Sequence, residues 1–321
     1  MADPIDGCPT MNGVPLTGRE PLVAVEEISK SYRRRVAVGS VTVTLRAGEI
    51  CGFVGANGGG KTTTLRMLAG ILKPSGGRGF VLGFDLLHDA AKIRERVGYM
   101  SQRLSLYPEL SVFENLRFRA RLYALRSPRA AAESAIAEFG LAPWAHTAAG
   151  SLSGGWARRL QLAASLLHSP RLVLLDEPTA GLDAVARQEV WRRVEGLAAT
   201  GAGVILCTHD LVEAERCSRA MFFADGQVLA AGTPAEIATR SPTVAFVLSG
   251  ADARKVAHDA AAIGGVLTSY LIGESLRIVA RPAAEKHLYR LAGLHGAILA
   301  RTAARLEDAV LASSMPMGKH Q

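Results

Sequence analysis

Residues Gly55-Ala56-Asn57-Gly58-Gly59-Gly60-Lys61-Thr62 follow the pattern G-x-x-x-x-G-K-[ST]. The apolar run Glu49 to Val54 precedes them, and helical periodicity through Leu65, Leu68 and Leu72, predicted to end near Pro74, follows. This is the strand, loop, helix setting that the pattern requires. The glycines let backbone N–H groups turn inward, and a helix N-terminus adds orphan donors and a positive dipole end, so the loop reads as a phosphate cradle. Lys61 is expected to reach the β- and γ-phosphates and Thr62 to hold Mg²⁺, with Thr63 next on the same turn. A chance glycine-rich loop before a helix is the competing explanation, and it weakens as further motifs are added.

The next such motif lies over a hundred residues downstream. Leu172-Val173-Leu174-Leu175-Asp176-Glu177 ends an apolar strand with two carboxylates, where open parallel sheets present ligands. Asp176 suits an anchor for Mg²⁺ through water, and Glu177 suits a group that polarises the water attacking a γ-phosphate. Taken alone, Asp-Glu after a strand is an ordinary helix N-cap.

Around these motifs the chain predicts an α/β architecture with a helical insert. From Leu22 to about Ala47 the alternation of Val36, Val38, Val41, Val43 and Leu45 predicts antiparallel strands. Helical periodicity dominates from Pro108 to Leu167, within an insert spanning about 102–165. Strands are then expected at Leu172 to Leu175 and Gly203 to Cys207, with a helix at Val185 to Leu197 between them. Asp225-Gly226 reads as a hairpin turn. Thr233, Pro234 and Glu236 mark a capped helix start, and Ser241-Pro242 a boundary. Beyond it, Thr243 to Leu248, Val266 to Leu271 and Leu276 to Ala280 look like strands interleaved with Ala-rich helices. That pattern is consistent with a small α+β domain of ferredoxin-like type over 243–313, followed by a tail at 314–321. Residues 1–21 mix Pro, Gly, Asp and Thr and are expected to be a disordered lead-in, not a secretory signal.

Composition narrows the classes. With 321 residues and 49% hydrophobic content, the chain can bury one large and one smaller core, and no run approaches the roughly 18 to 20 apolar residues of a membrane span. Four cysteines, Cys8, Cys51, Cys207 and Cys217, form no CxxC pair, and eight scattered histidines show no ligand spacing, so a reduced protein without a transition metal is expected. The net charge of +8 comes from 30 Arg against 7 Lys, and fits either anionic partners or a compositional bias of an Ala-rich chain.

From about Leu22 to Arg240 the motifs, in order, resemble the nucleotide-binding domain of ABC ATPases, a P-loop NTPase fold with an antiparallel β subdomain and a helical subdomain. Leu152-Ser153-Gly154-Gly155 resembles the family signature, Gln102 the glutamine loop, Gly181-Leu182-Asp183 the D-loop, His209 the switch histidine, and Tyr32 the aromatic that stacks on adenine. The resemblance implies ATP and Mg²⁺ as ligands. It implies Gln102 beside Thr62 and Asp176 at the metal, and Glu177, His209, Gln102 and Lys61 in catalysis. It also implies that Ser153, Gly154, Gly155 and Asp183 serve a nucleotide held by a second ABC ATPase domain, identical or different, in a head-to-tail dimer. Two departures stand out. Ala56 and Gly59 replace the usual Pro and Ala of the loop, and Trp156 replaces the usual signature Gln, which is expected to put an aromatic beside the phosphate across the dimer.

The short insert and Leu106-Tyr107-Pro108-Glu109-Leu110-Ser111-Val112-Phe113-Glu114-Asn115-Leu116 resemble export-type ATPases, as do Trp156 and the ending Leu306-Glu307-Asp308-Ala309. That implies integral membrane permease subunits as partners, Arg103 to Tyr107 as the contact, and a place on the cytoplasmic face of the membrane. Two other readings are a soluble ABC ATPase acting on ribosomes or nucleic acid and a nucleotide switch without turnover. The first lacks a second ATPase domain, a coiled-coil insert and a basic stripe interleaved with aromatics, so no nucleic acid is expected. The second sits poorly with intact Lys61, Asp176, Glu177 and His209.

Overall fold

The computed structural model describes residues 10–11, 14–15, 20–33, 35–240, 243–250, 252–303 and 305–308. Most of the expected lead-in 1–21, the last residues of the 243–313 segment and the tail 314–321 lie outside them, as does Cys8. The chain forms two compact units, Met1–Val228 and Leu229–Gln321. This division falls ahead of the Ser241-Pro242 boundary expected from sequence.

In the first unit a sheet runs in the order Arg219–Ala224, Ile50–Val54, Gly203–Thr208, Leu172–Asp176, Val97–Met100, with the strand Gln227–Gly232, in which the division falls, outermost beside Arg219–Ala224. Pairing from Arg219–Ala224 to Val97–Met100 is parallel throughout. Strands Ile50–Val54, Leu172–Asp176 and Gly203–Thr208 are buried along their whole length, which explains their uninterrupted apolar sequences. A second sheet, Arg35–Leu45, Val23–Tyr32, Gly76–Val81, Phe84–Asp85, is antiparallel. Its alternating Val38, Val41, Val43 and Leu45 point into one core with Phe53, Leu65 and Phe223.

Strands Gly76–Val81 and Val97–Met100 were not foreseen. The first opens with Gly76-Gly77-Arg78-Gly79, a run poor in the β-branched and aromatic residues that mark strands. Yet a Cβ on Gly77 would sit 2.4 Å from the Glu27 carbonyl oxygen, and one on Gly79 2.3 Å from that of Ala24. Close backbone pairing demands these glycines.

The insert contains Val112–Leu122, Pro128–Glu138 and the signature helix Gly154–Leu166. Ser111 and Glu114 close a capping box on the first of these. Helix Lys61–Leu68 is shorter than its sequence periodicity suggested. Ala69 caps it, and Gly70 follows at φ +67°, so Leu72 falls beyond its end although it still packs on the core. Asp225 and Gly226, at φ +48° and +77°, make the hairpin turn.

The second unit holds the helix Pro234–Arg240, whose Thr233 and Glu236 cap each other reciprocally. It also holds a four-stranded sheet ordered Val266–Ile272, Ser275–Ala280, Val244–Ser249, Ile298–Thr302. All three pairings are antiparallel. Helix Ala253–Ala261 connects Val244–Ser249 to Val266–Ile272, and helix Glu285–Leu294 connects Ser275–Ala280 to Ile298–Thr302, which is a split β-α-β topology. Their apolar residues Val256, Ala260, Leu288 and Leu291 share a core with Phe246, Leu248, Leu276 and Ile278.

Candidate active site

The loop after Ile50–Val54 wraps around the N-terminus of Lys61–Leu68. Gly55, Gly58 and Gly60 have φ of +144°, +84° and +104°, values that suit glycine alone. A Cβ on Gly55 would lie 2.1 Å from the Phe223 carbonyl oxygen, and one on Gly59 3.0 Å from the same atom, so these two form the back of the loop against a neighbouring strand. The Ala56 carbonyl accepts from the Gly59 N–H at 3.3 Å. Lys61 Nζ folds onto the loop, donating to the carbonyls of Gly55 at 2.6 Å and Ala56 at 3.0 Å.

In front of the loop opens a cleft of about 760 Å³. Tyr32, Asn57, Gly58, Gly60, Lys61, Thr62, Thr63, Gln102 and Glu177 line it, all from the predicted set. Gly55, Ala56 and Gly59 shape the loop from behind. Arg35, Val36, Ala37, Asp225 and Gly226 also line the cleft and were not predicted. Asp225-Gly226 was legible only as a turn, although the Gly226 N–H bonds the Gly59 carbonyl at 3.2 Å and the Gly226 carbonyl accepts from the Gly39 N–H at 2.7 Å. The hairpin thus buttresses the phosphate loop.

At the strand end, Thr62 Oγ1 donates to Asp176 Oδ1 at 2.9 Å, and Glu177 Oε2 lies 2.9 Å from His209 Nδ1. The other carboxylate oxygens, Asp176 Oδ2 and Glu177 Oε1, are buried without a hydrogen-bond partner. Buried acceptors of this kind are rare in native folds and call for a cation or donor from outside the chain. The donor set of hydroxyl and carboxylate oxygens suits a hard divalent ion such as Mg²⁺. Burial raises the Asp176 carboxyl above the usual range, against the Thr62 bond and the charges of Arg66, Lys61 and Arg158. Burial likewise raises Glu177, with His209 and Lys61 pulling it down.

Ser153, Gly154, Gly155 and Asp183 do not line this cleft. Ser153 caps the signature helix without a side-chain bond to it, and Gly154 has open space where a Cβ would be. Asp183 instead caps Ala184–Ala199 through a 2.8 Å bond from the Ala186 N–H. Trp156 follows the signature glycines on the same helix. Its ring pairs with Trp144 at 5.7 Å between centroids, and the Arg159 guanidinium lies 4.5 Å over it. An apolar neighbour and a cation one helical turn on hold the indole against the helical layer.

A nucleotide loop, a carboxylate pair at a parallel strand end and a signature helix capped by Ser153 and opening on two glycines, on one α/β frame, define a nucleoside-triphosphate-binding class. The chain belongs to the ATP-binding proteins of ABC transporters. A family model described as ABC transporter matches residues 38–180. The Nod factor export ATP-binding protein I of Ralstonia nicotianae is 37% identical over 230 residues, covering 70% of this chain and 71% of that protein. The probable multidrug ABC transporter ATP-binding protein YbhF of Escherichia coli is 39% identical over 235 residues; the match covers 72% of this chain but spans 40% of the relative's length. Among solved structures, a dimeric ATP-binding cassette in a post-hydrolysis state with ADP and Pi superposes with a TM-score of 0.62 at 25% identity, covering 66% of this chain and 98% of that one.

Proposed function

We propose that this chain is the ATP-hydrolysing subunit of an exporter, working as a head-to-tail dimer with a second ABC ATPase domain and driving separate membrane permease subunits. The observation that carries this reading is the pair of orphaned carboxylate oxygens on Asp176, which is bonded through its other oxygen to Thr62, and on Glu177, which lines the cleft with Lys61 and Thr62.

In this reading the glycine loop and Lys61 bind the β- and γ-phosphates of ATP, and Tyr32, half exposed at the cleft rim, stacks on adenine. Thr62, Asp176 and Gln102 would hold Mg²⁺. The ion, when bound, neutralises developing charge on the phosphate oxygens. Glu177 accepts a hydrogen bond from the attacking water and orients it, and His209 fixes the Glu177 carboxylate in place. Ser153, Gly154 and Gly155 complete the site of the partner's nucleotide, for which their position outside this chain's own cleft is suited, with Asp183 at the same junction. Exposed Leu104 and Tyr107 within Arg103 to Tyr107 support that segment as the permease contact, on the cytoplasmic face of the membrane. Among the described residues no helix is long and apolar enough to cross a membrane.

Steady-state ATPase of the purified chain with Mg²⁺, compared with Glu177→Gln, tests this, while gel filtration with ATP reports oligomeric state. Turnover in the wild type and an inactive, ATP-trapped dimer in the variant are expected. ATP binding without turnover, even beside candidate permeases in membranes, would instead favour a nucleotide switch.

A further inference from the structure

Thr179 and Thr208 donate their hydroxyls to the two oxygens of one carboxyl group, that of Glu213. Thr179 Oγ1 lies 2.6 Å from Oε1, and Thr208 Oγ1 lies 2.7 Å from Oε2. All three side chains are buried, Glu213 to 2% exposure. Thr179 follows Glu177 by two residues, through Pro178, and Thr208 directly precedes His209. Because Glu177 Oε2 and His209 Nδ1 meet at 2.9 Å, the covalent chain and three side-chain contacts form a closed ring: Glu177, Thr179, Glu213, Thr208, His209 and back.

Glu213 does not line the nucleotide cleft, so it does not touch substrate. Its place in the ring answers a different need. Glu177 sits at φ +52°, a left-handed conformation for a non-glycine residue. Such strain persists only where surrounding bonds over-determine the backbone, and it gathers where geometry matters for chemistry. The Glu177 N–H donates to the Cys207 carbonyl at 3.1 Å, and the Asp210 N–H donates to Thr208 Oγ1 at 3.0 Å. Those bonds hold the two strand ends, and among the described residues Glu213 alone ties the segment after Glu177 to the segment before His209 through side chains. A carboxyl group is required because two buried hydroxyl protons each need an acceptor; an amide would offer one acceptor and confront the other hydroxyl with its own N–H groups.

We propose that Glu213 is a positioning residue for ATP hydrolysis: through Thr179 and Thr208 it sets the Glu177–His209 pair in the geometry that orients water. This rests on the hydrolytic role of Glu177 argued above. Misplacement of a catalytic group by an ångström costs on the order of 10²-fold in rate, while nucleotide affinity, set by the loop and Lys61, stays.

The test uses the full chain in five forms with MgATP: wild type, Glu177→Gln, Thr208→Val, Thr208→Ser, and the triple variant Thr179→Val with Thr208→Val and Glu213→Met. Replacing the three side chains together removes each hydroxyl along with its carboxylate acceptor and leaves the Asp210 N–H without its Thr208 partner, so the triple variant is expected to melt cooperatively at a Tm below that of wild type. It should bind ATP with unchanged affinity and lose about 10²-fold in kcat. Thr208→Ser, which keeps the hydroxyl, should recover most of the kcat that Thr208→Val loses, and this pair carries the test if the triple variant does not fold. A folded triple variant with kcat within about twofold of wild type overturns the proposal. So does a Thr208→Ser rate that falls with Thr208→Val. Failure of the underlying reading looks different: Glu177→Gln then turns over as fast as wild type, and the proposal falls with it.

Discussion

The side-chain amide of Gln161, on the signature helix, donates to the Arg103 backbone carbonyl at 2.9 Å and to that of Ser101 at 3.0 Å, bracketing Gln102. Its Oε1 accepts from Arg158 Nη1 at 3.2 Å, which fixes which end of the amide faces which partner. Gln161 is 2% exposed, so buried bonds tie the signature helix to the Gln102 segment.

Gln161→Glu is nearly isosteric but replaces a donor by an acceptor facing two carbonyls. The expected cost is about 1–3 kcal/mol of stability from the unsatisfied groups, read from urea unfolding. With the Gln102 segment released, and Gln102 in the Mg²⁺-holding role proposed above, the Mg²⁺ concentration for half-maximal ATPase should rise roughly 10- to 100-fold, the usual range for removing support from a metal ligand.

His168 stacks on Tyr123 with ring centroids 3.8 Å apart. Burial pushes its pKa from 6.5 down to about 4, outweighing a contribution from the Val97 backbone. The folded state therefore binds the proton more weakly than the unfolded state. The neutral ring's contribution is fully present above pH 6.5 and is lost as the pH falls toward 4. His168→Phe, which keeps a stacking ring, should flatten that part of the Tm-versus-pH curve measured by calorimetry.

In the second unit, Arg277 and Asp308 form an ion pair at 2.7 Å with side-chain exposures of 2% and 0%. Arg277 also donates to the Ala303 carbonyl, and Asp308 accepts from the Arg305 N–H at 2.6 Å. Removing one partner strands a buried charge, so Asp308→Leu should destabilise this unit by about 3–5 kcal/mol. The double variant Arg277→Met with Asp308→Leu should recover most of that in the same denaturation measurement.

Burial raises the thiols of Cys51, to about 12, and of Cys207 and Cys217. Thiolates react and thiols do not. Iodoacetamide at pH 8 should leave all three unmodified in the native chain and alkylate them after guanidinium unfolding, as read by peptide mass spectrometry.

The chemistry-bearing stretches were legible because their patterns are local. The loop Gly55 to Thr62, the strand ending in Asp176 and Glu177, and the Asp225-Gly226 turn each need only neighbours in sequence to be recognised. The strand Gly76–Val81 was hidden because the glycines that permit close pairing stand where β-branched and aromatic residues would mark a strand, and helix Lys61–Leu68 ended early because Leu72 keeps its apolar contact without helical backbone. Trp156 illustrates the same limit: its position beside the signature is sequence, but the turn of its ring toward Trp144 is packing.

By itself the sequence determined the strand, loop, helix unit, the order of the motifs and the residue types able to bind phosphate and a divalent ion, since backbone freedom and side-chain chemistry are properties of short segments. Only the tertiary structure decided which of those residues share a cleft. Parallel pairing of Ile50–Val54, Gly203–Thr208 and Leu172–Asp176 brings Thr62 to Asp176 and Glu177 to His209. It also brings Glu213 between Thr179 and Thr208, a contact between residues 34 and 5 positions apart, respectively, in the chain. Hydrogen bonds of that kind are written in no local pattern; they exist because burial leaves each polar group no partner but the one the fold supplies.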